Sequence, residues 1–293
     1  MRLSTAIRHF DEQLRADGKS AITREVYVRD LELLQKWLGR TATIESITPL
    51  KLTCFINSKS FAHTGTGSSK AAVSLNRSKS AIRTLFQFLF DAGYMRQNPA
   101  RLVRHARTPK KPPRPMLQTD VKMLLSTIKS HKDPLAHRDC AMFSLMLGTG
   151  VRLGALVRLD ASDVDVKGRT IRIRTKGELE QLVYLSHGLA GELNRHLNTR
   201  HGSSPALFQS RHGGRLKARQ VQIRFSQWVC RAGIQRHYTV HSLRHAFATR
   251  LYEQTHDIRL VQRALGHARV TTTEIYTTVS DGAVQRALGE LRV

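Results

Sequence analysis

The chain is 293 residues long, 40% hydrophobic and 24% charged. That length suits two domains, and the apolar content rules out wholesale disorder. No run approaches the roughly 18 uncharged apolar residues of a membrane-spanning helix, and Met1-Arg2-Leu3-Ser4 leads into charged residues rather than a signal-peptide core. Cys54, Cys140 and Cys230 are odd in number and widely spaced. They form no disulfide framework or Cys-x-x-Cys pair, so a reducing cytoplasm is expected. The charge narrows the choice of partner: 48 Lys and Arg against 22 Asp and Glu give a net +26. Cytosolic chains this basic usually bind a polyanion, most often nucleic acid.

Residues 1–103 carry 16 basic and 8 acidic side chains, net +8. Their periodicity is helical throughout. Ile7, Phe10 and Leu14 make one apolar stripe. Tyr27, Leu31, Leu34 and Leu38 make a second, and Ile82, Leu85, Phe86 and Leu89 a third that ends near Gly93 and Asn98-Pro99. Thr48-Pro49 reads as an N-cap followed by proline at the first helical position. Four or five helices and no strand are expected here. Arg24, Arg29, Lys70, Arg77, Lys79 and Arg83 fall on the outward faces, where a solvated surface explains most of them.

Residues 104–115 hold four prolines and five basic side chains (Arg104, Arg107, Lys110, Lys111 and Arg114) with no acid. Proline at that density excludes helix interior and favours an extended strap. We place the domain boundary here and expect the strap to lie along phosphates. Two basic bodies joined by a basic connector are what a clamp around DNA needs.

Residues 116–293 carry 27 basic and 14 acidic side chains, net +13. Helices are expected at about 118–130, 135–148, 187–199, 217–231, 240–254, 257–264 and 281–290. Arg169–Arg174 and Glu180–Leu185 alternate like strands, with Lys176-Gly177 at the turn between them. The fold class is therefore mainly α with a small β-hairpin or sheet, in two domains.

Taken singly, the polar motifs are ambiguous. His241 and Arg244 sit at i, i+3 behind a Thr239 N-cap, so they share a face near a helix N-terminus. That is a phosphate-binding position, or an exposed polar face. His241 and His245 also have i, i+4 metal spacing, but no Glu follows His241 and no third ligand is evident, so no metal is expected. Arg152 follows a Gly turn, His267 follows Gly266, and Tyr276 alone would be half-buried packing.

Together they are a set. Arg152, Lys176 on the hairpin 24 residues on, His241-x-x-Arg244, His267 23 residues past Arg244, and Tyr276 nine residues later resemble the tyrosine recombinase family of phage integrases and Xer-like enzymes. The resemblance covers the whole chain. It implies a helical core DNA-binding domain at 1–103, a basic linker at 104–115 and a mixed α+β catalytic domain with a tail helix at 116–293, closing on duplex DNA as a C-shaped clamp. It implies site-specific recombination through a 3′-phosphotyrosyl intermediate and a Holliday junction, in the cytoplasm with the nucleoid, by a homo-oligomer that is a tetramer in the synapse. No cofactor, metal or membrane is implied. Tyr276 would be the nucleophile. Arg152, Arg244 and His267 would hold the phosphoryl oxygens, Lys176 would protonate the leaving oxygen, and His241 would help deprotonate Tyr276. Lys79, Arg83, Arg104, Arg107, Lys110, Lys111 and Arg114 would contact DNA. The tail after Tyr276 would dock on a neighbouring protomer or pack in cis.

The chemistry suits these residue types. A phenol that attacks a phosphodiester conserves the bond energy in a covalent intermediate, so neither ATP nor metal is needed for rejoining. Guanidinium forks match phosphoryl oxygens. The departure is Ala155, where the family usually carries Glu or Asp; Asp160 or Asp163 are the candidates to replace that acid. Two alternatives share much of the pattern: a type IB topoisomerase-like nicking–sealing enzyme, and a non-catalytic DNA-binding relative.

Overall fold

A computed structural model describes residues 1–108, 114–174, 180–200 and 203–266. The chain divides into two compact units, Met1–Lys110 and Lys111–Val293. Each is mainly helical, and the second adds a small sheet.

The first unit contains α1 (Leu3–Ala16), α2 (Ala21–Leu38), a 3₁₀ turn (Ile44–Ser46), α3 (Pro49–Ile56), α4 (Lys59–Ala62) and α5 (Ala72–Asp91). Short polar side chains start three of these helices. Ser20, Thr48 and Ser58 each accept from the backbone N–H three residues on, at 3.3 Å, satisfying an otherwise orphaned donor. Ile7, Phe10 and Leu14 of α1 and Ile82, Leu85, Phe86 and Leu89 of α5 are buried in one core with Leu31 and Leu34. Tyr27 and Leu38 pack only at its margin.

Two of the outward-facing arginines are not simply solvated. Arg24 of α2 grips Asp11 of α1 with two bonds of 2.8 and 2.6 Å. Arg77 of α5 reaches Asp30 of α2 at 3.1 Å. Both tie helices together, a tertiary pairing that one-dimensional periodicity does not encode. The start of the strap is also fastened. The Asn76 amide bonds the Ala106 backbone in both directions, at 2.8 and 2.9 Å, and Ser80 Oγ meets His105 Nε2 at 3.0 Å. Asn76 and Ser80 stand four apart on α5, so residues 105 and 106 run against that helix.

The second unit contains α6 (Gln118–Ser130), α7 (Ala136–Thr149), α8 (Leu153–Leu156), a 3₁₀ turn (Ala161–Asp163), β1 (Val164–Asp165), β2 (Thr170–Arg174), β3 (Glu180–Tyr184), α9 (His187–Asn198), α10 (Ala218–Arg231), α11 (Val240–Thr255) and α12 (Ile258–Leu265). The strands form an antiparallel sheet in the order β1-β2-β3, with Ile171 opposite Val183 and Arg174 opposite Glu180. Ile171 and Ile173 point inward and Arg172 and Arg174 outward, as the two-residue period requires. The two-residue β1 and the single-turn α8 are too short to leave a periodic signal. The expected tail helix at 281–290 lies outside the described residues.

The central element is α7. Cys140, Phe143, Leu145 and Met146 on it are buried, and α6, α9 and α11 pack around it. A polar network locks its first turn to α10. Asp139, with no exposed surface, accepts from Arg138 Nε at 2.9 Å, Arg224 Nε at 2.7 Å and Trp228 Nε1 at 2.8 Å. Asp133 accepts from Arg224 Nη2 at 2.9 Å, Arg231 Nη1 at 3.0 Å and the Leu135 N–H at 2.9 Å. Both Arg224 and Arg231 lie over the Trp228 ring.

Burial pushes the Asp133 carboxyl upward, but the Leu135 N–H and the two arginines outweigh it and bring its pKa down to about 2. A carboxylate whose folded pKa lies below its unfolded value of 3.8 stabilises the fold above pH 4 and loses that contribution as the pH falls toward 2. The full contribution is on the order of 2 kcal/mol. Urea unfolding at pH 7 is expected to show Asp133→Asn destabilised by about that amount, with the difference from the parent shrinking by pH 3. A pH-independent difference would remove this carboxylate from the account of acid stability.

Candidate active site

Helix ends, rather than helix faces, build the site. At its C-terminus α7 stops at Gly150, left-handed at φ 64°. A side chain there would meet Phe247 and Leu265 at under 3 Å, so the position requires glycine twice over. The chain then extends through Arg152, which is the N-cap of α8. On the other side α12 stops at Gly266, left-handed at φ 61°. Between the two ends runs α11, whose N-cap Thr239 donates its backbone N–H to Ser242 Oγ at 3.2 Å. His241 and Arg244 lie in its first two turns.

Arg244 is 6% exposed. It donates through Nη1 to the Gly150 carbonyl and through Nη2 to the Leu265 carbonyl at 2.9 Å. One guanidinium thus bridges the C-termini of α7 and α12, where helix dipoles present partial negative charge. Farther along α11, Arg250 donates to the Leu147 carbonyl of α7 at 2.7 Å. Arg152 is exposed and makes a long contact, 3.5 Å, to the Gly266 carbonyl.

Arg152, His241 and Arg244 line one cleft of about 490 Å³, with Ala155, Arg158 and Gln181 on its walls. His241 keeps an exposed edge, yet the crowding beneath it and then the Arg244 charge hold its pKa below the ordinary 6.5. Burial, His241 and Arg244 lower His245 as well. At neutral pH the His241 ring is therefore uncharged and able to accept a proton. Lys176, His267 and Tyr276 lie outside the described residues, as do Lys110 and Lys111.

Neither aspartate that could replace an acid at position 155 serves Arg152. The Asp160 carboxylate pairs with Arg215. Asp163 accepts the Asp160 N–H at 2.8 Å and faces Arg174 at 3.8 Å. Among the described residues the cleft wall contains no carboxylate. Sequence reasoning missed Gln181 and Arg158. The signal for Gln181 was present: it is a polar residue at an inward register of β3, opposite buried Ile173. Arg158, which donates to the Arg174 carbonyl at 3.2 Å, follows the single turn of α8 and carries no such mark.

The proposed DNA contacts fall on both units. Arg83 of α5 lines a groove of about 930 Å³ in the first unit, with Arg96, Arg101 and His105. Arg104 and Arg107 are exposed in the first unit, Arg114 is exposed in the second, and Lys79 is half-buried. Among the described residues none of Lys79, Arg83, Arg104, Arg107 and Arg114 is paired with a carboxylate. No described helix is long and apolar enough to cross a membrane.

The helical first unit, the small sheet and this arginine-lined cleft define a class that comparison with known proteins identifies. The phage integrase family profile matches residues 114–282, and the N-terminal SAM-like domain of phage integrases matches residues 7–93. The chain belongs to the phage integrase family, whose members here are tyrosine-type site-specific recombinases. Tyrosine recombinase XerC of Vibrio vulnificus (strain YJ016) is 34% identical over 284 residues, covering 94% of this chain and 87% of the relative. The XerC of Escherichia coli O157:H7 is 37% identical over 209 residues, 70% of each chain. XerH bound to a palindromic difH substrate, a post-cleavage complex, shares the fold with a TM-score of 0.76 at 21% identity, over 96% of this chain and 84% of that one. A lambda integrase dimer bound to a COC′ core site matches with a TM-score of 0.74 at 19% identity, over 93% and 97%. The protein is an enzyme of DNA strand breakage and rejoining.

The different burial of the two arginines separates their roles in stability. Arg244→Ala strands two buried carbonyls, at about 1–3 kcal/mol each in the worst case. Thermal melting is expected to drop clearly for Arg244→Ala, while Arg152→Ala, exposed and singly bonded, stays within about 0.5 kcal/mol of the parent. Equal destabilisation by both would contradict the bridging geometry.

Proposed function

We propose that Tyr276 is the nucleophile of this recombinase and that the cleft of Arg152, His241 and Arg244 receives the scissile phosphate of duplex DNA. The observation that carries this reading is the convergence of two guanidinium groups and a neutral imidazole on one open cleft. In the reaction the Tyr276 phenol oxygen forms a bond to phosphorus and the bond to the 5′-oxygen breaks. The product is a 3′-phosphotyrosine and a free 5′-hydroxyl. Arg152 and Arg244, with His267, take the charge that builds on the non-bridging oxygens. His241 helps remove the phenol proton, whose free pKa is about 10. Lys176, between β2 and β3, supplies a proton to the leaving oxygen. The reverse attack by a 5′-hydroxyl from a second duplex rejoins the strand and yields a Holliday junction.

In this reading residues 1–103 bind the core site, 104–115 form the strap and 116–293 carry the chemistry. The charges of Lys79, Arg83, Arg104, Arg107 and Arg114, which pair with no carboxylate among the described residues, suit sequence-independent phosphate contacts together with Lys110 and Lys111 of the strap. The active assembly is a tetramer on DNA, at the nucleoid in the cytoplasm. Solved relatives of the same fold support this assembly: lambda integrase is described both as a dimer on a core site and as a tetramer bound to a Holliday junction.

A suicide substrate nicked beside the cleavage site traps the covalent step. The parent protein is expected to yield a denaturant-resistant DNA adduct. Tyr276→Phe should yield none while binding the same duplex within a few-fold of the parent. An adduct of undiminished yield with Tyr276→Phe would reassign the nucleophile.

A further inference from the structure

The C-terminal turn of α12 is the meeting point of three side chains from three different elements. Its last four carbonyls are used in succession. Gln181 Nε2 of β3 donates to Arg263 at 3.1 Å and to Ala264 at 3.4 Å. Arg244 of α11 takes the Leu265 carbonyl and Arg152 the Gly266 carbonyl. Space is tight: a Cβ at Gly266 would lie 2.8 Å from Gln181 Oε1. The turn has to be left-handed, which glycine permits and other residues resist.

Arg152 has no carboxylate partner among the described residues, and Ala155 supplies none. Among the described residues its one hydrogen bond is the long 3.5 Å contact to the carbonyl of Gly266, on a turn that Gln181 straps to the sheet. Arg244 also uses the same turn through the Leu265 carbonyl. We infer that Gln181 is a positioning residue for the arginine pair: by clamping the end of α12 to β3, it holds in place the helix terminus that supports Arg152, where the described cleft wall offers no carboxylate. The inference rests on the reading of Arg152 and Arg244 as ligands of the scissile phosphate.

The physical demand is for rigidity more than charge. An arginine that must be ordered during the reaction adds to the barrier, so a support that fixes its rotamer beforehand lowers it. A helix C-terminus suits this role. Its carbonyls accept from guanidinium and carry partial rather than full negative charge, so they cancel less of the field on the phosphate than a carboxylate would.

The test is single-turnover cleavage of a nicked suicide duplex by Gln181→Leu and Gln181→Glu. Both variants fill the space of Gln181, and neither presents the amide donor. Each is expected to cleave on the order of tenfold more slowly, equal to about 1.4 kcal/mol of barrier, with duplex affinity within about twofold. Two backgrounds distinguish a positioning effect from a general structural one. In Arg152→Ala the added cost of Gln181→Leu should shrink to about twofold, because residues acting through one another are not additive. In Ala155→Glu, where a carboxylate holds Arg152 independently, Gln181→Leu should recover most of its loss. If Arg152→Ala itself cleaves at the parent rate, the phosphate-ligand reading fails and takes this inference with it. If Arg152→Ala is slow but Gln181→Leu cleaves within twofold of the parent, or costs its full tenfold in both backgrounds, the positioning role alone is overturned.

Discussion

The buried guanidinium of Arg244, shared between the Gly150 and Leu265 carbonyls, is the contact on which the catalytic unit's site depends. It joins the ends of two helices that also meet where Leu265 packs against Gly150. Three local features must hold for it to form. α7 must stop at a left-handed Gly150, α12 must stop at a left-handed Gly266, and α11 must start early enough to place Arg244 between them. Moving Arg244 by one residue along α11 would turn its side chain about 100° around the helix, out of the gap. The burial of α7 and the ion network that fastens its first turn to α10 are the distant supports of the same arrangement.

Electrostatics explains how so basic a protein tolerates that site. Among the described residues, Arg244, Arg250 and Arg152 each donate to helix-end carbonyls. Partial charges hold the guanidinium groups in place while leaving their field available to an anion. By contrast, the arginines that stabilise the fold meet full negative charge: Arg24 with Asp11, Arg77 with Asp30, and Arg224 with Asp133 and Asp139. The same contrast extends to Lys79, Arg83, Arg104, Arg107 and Arg114, which meet no carboxylate among the described residues.

Much of this was legible before any coordinates. The helices α1, α2 and α5 follow their apolar stripes, and β2 follows strict alternation, because both periods come from backbone geometry alone. Thr48-Pro49 marked its helix start for the same local reason. The elements that left no trace, α8, β1 and the 3₁₀ turns, are only about one period long. Arg152, His241 and Arg244 could be grouped only through the ordered motif; spacing along the chain does not show that Gly150 and Gly266 face each other. Gln181 illustrates the remaining gap. Its inward register was visible, but its partners lie more than 80 residues away, and only the folded chain brings α12 to the strand. Asp160 and Asp163 were reasonable substitutes for the acid at 155 by proximity in sequence, and the 3₁₀ turn directs them to Arg215 and Arg174 instead.

On the proposed function, the forked donor fixed between two helix ends stabilises the phosphoryl transition state. Arg244→Lys tests it most directly, because it keeps the charge and removes the fork that spans Gly150 and Leu265. Single-turnover cleavage of a suicide duplex, measured beside duplex affinity, separates the step from binding. The account predicts a rate lower by about 10²–10³ with affinity within a few-fold. Cleavage within about tenfold of the parent would contradict it, since charge without the bridging geometry would then suffice.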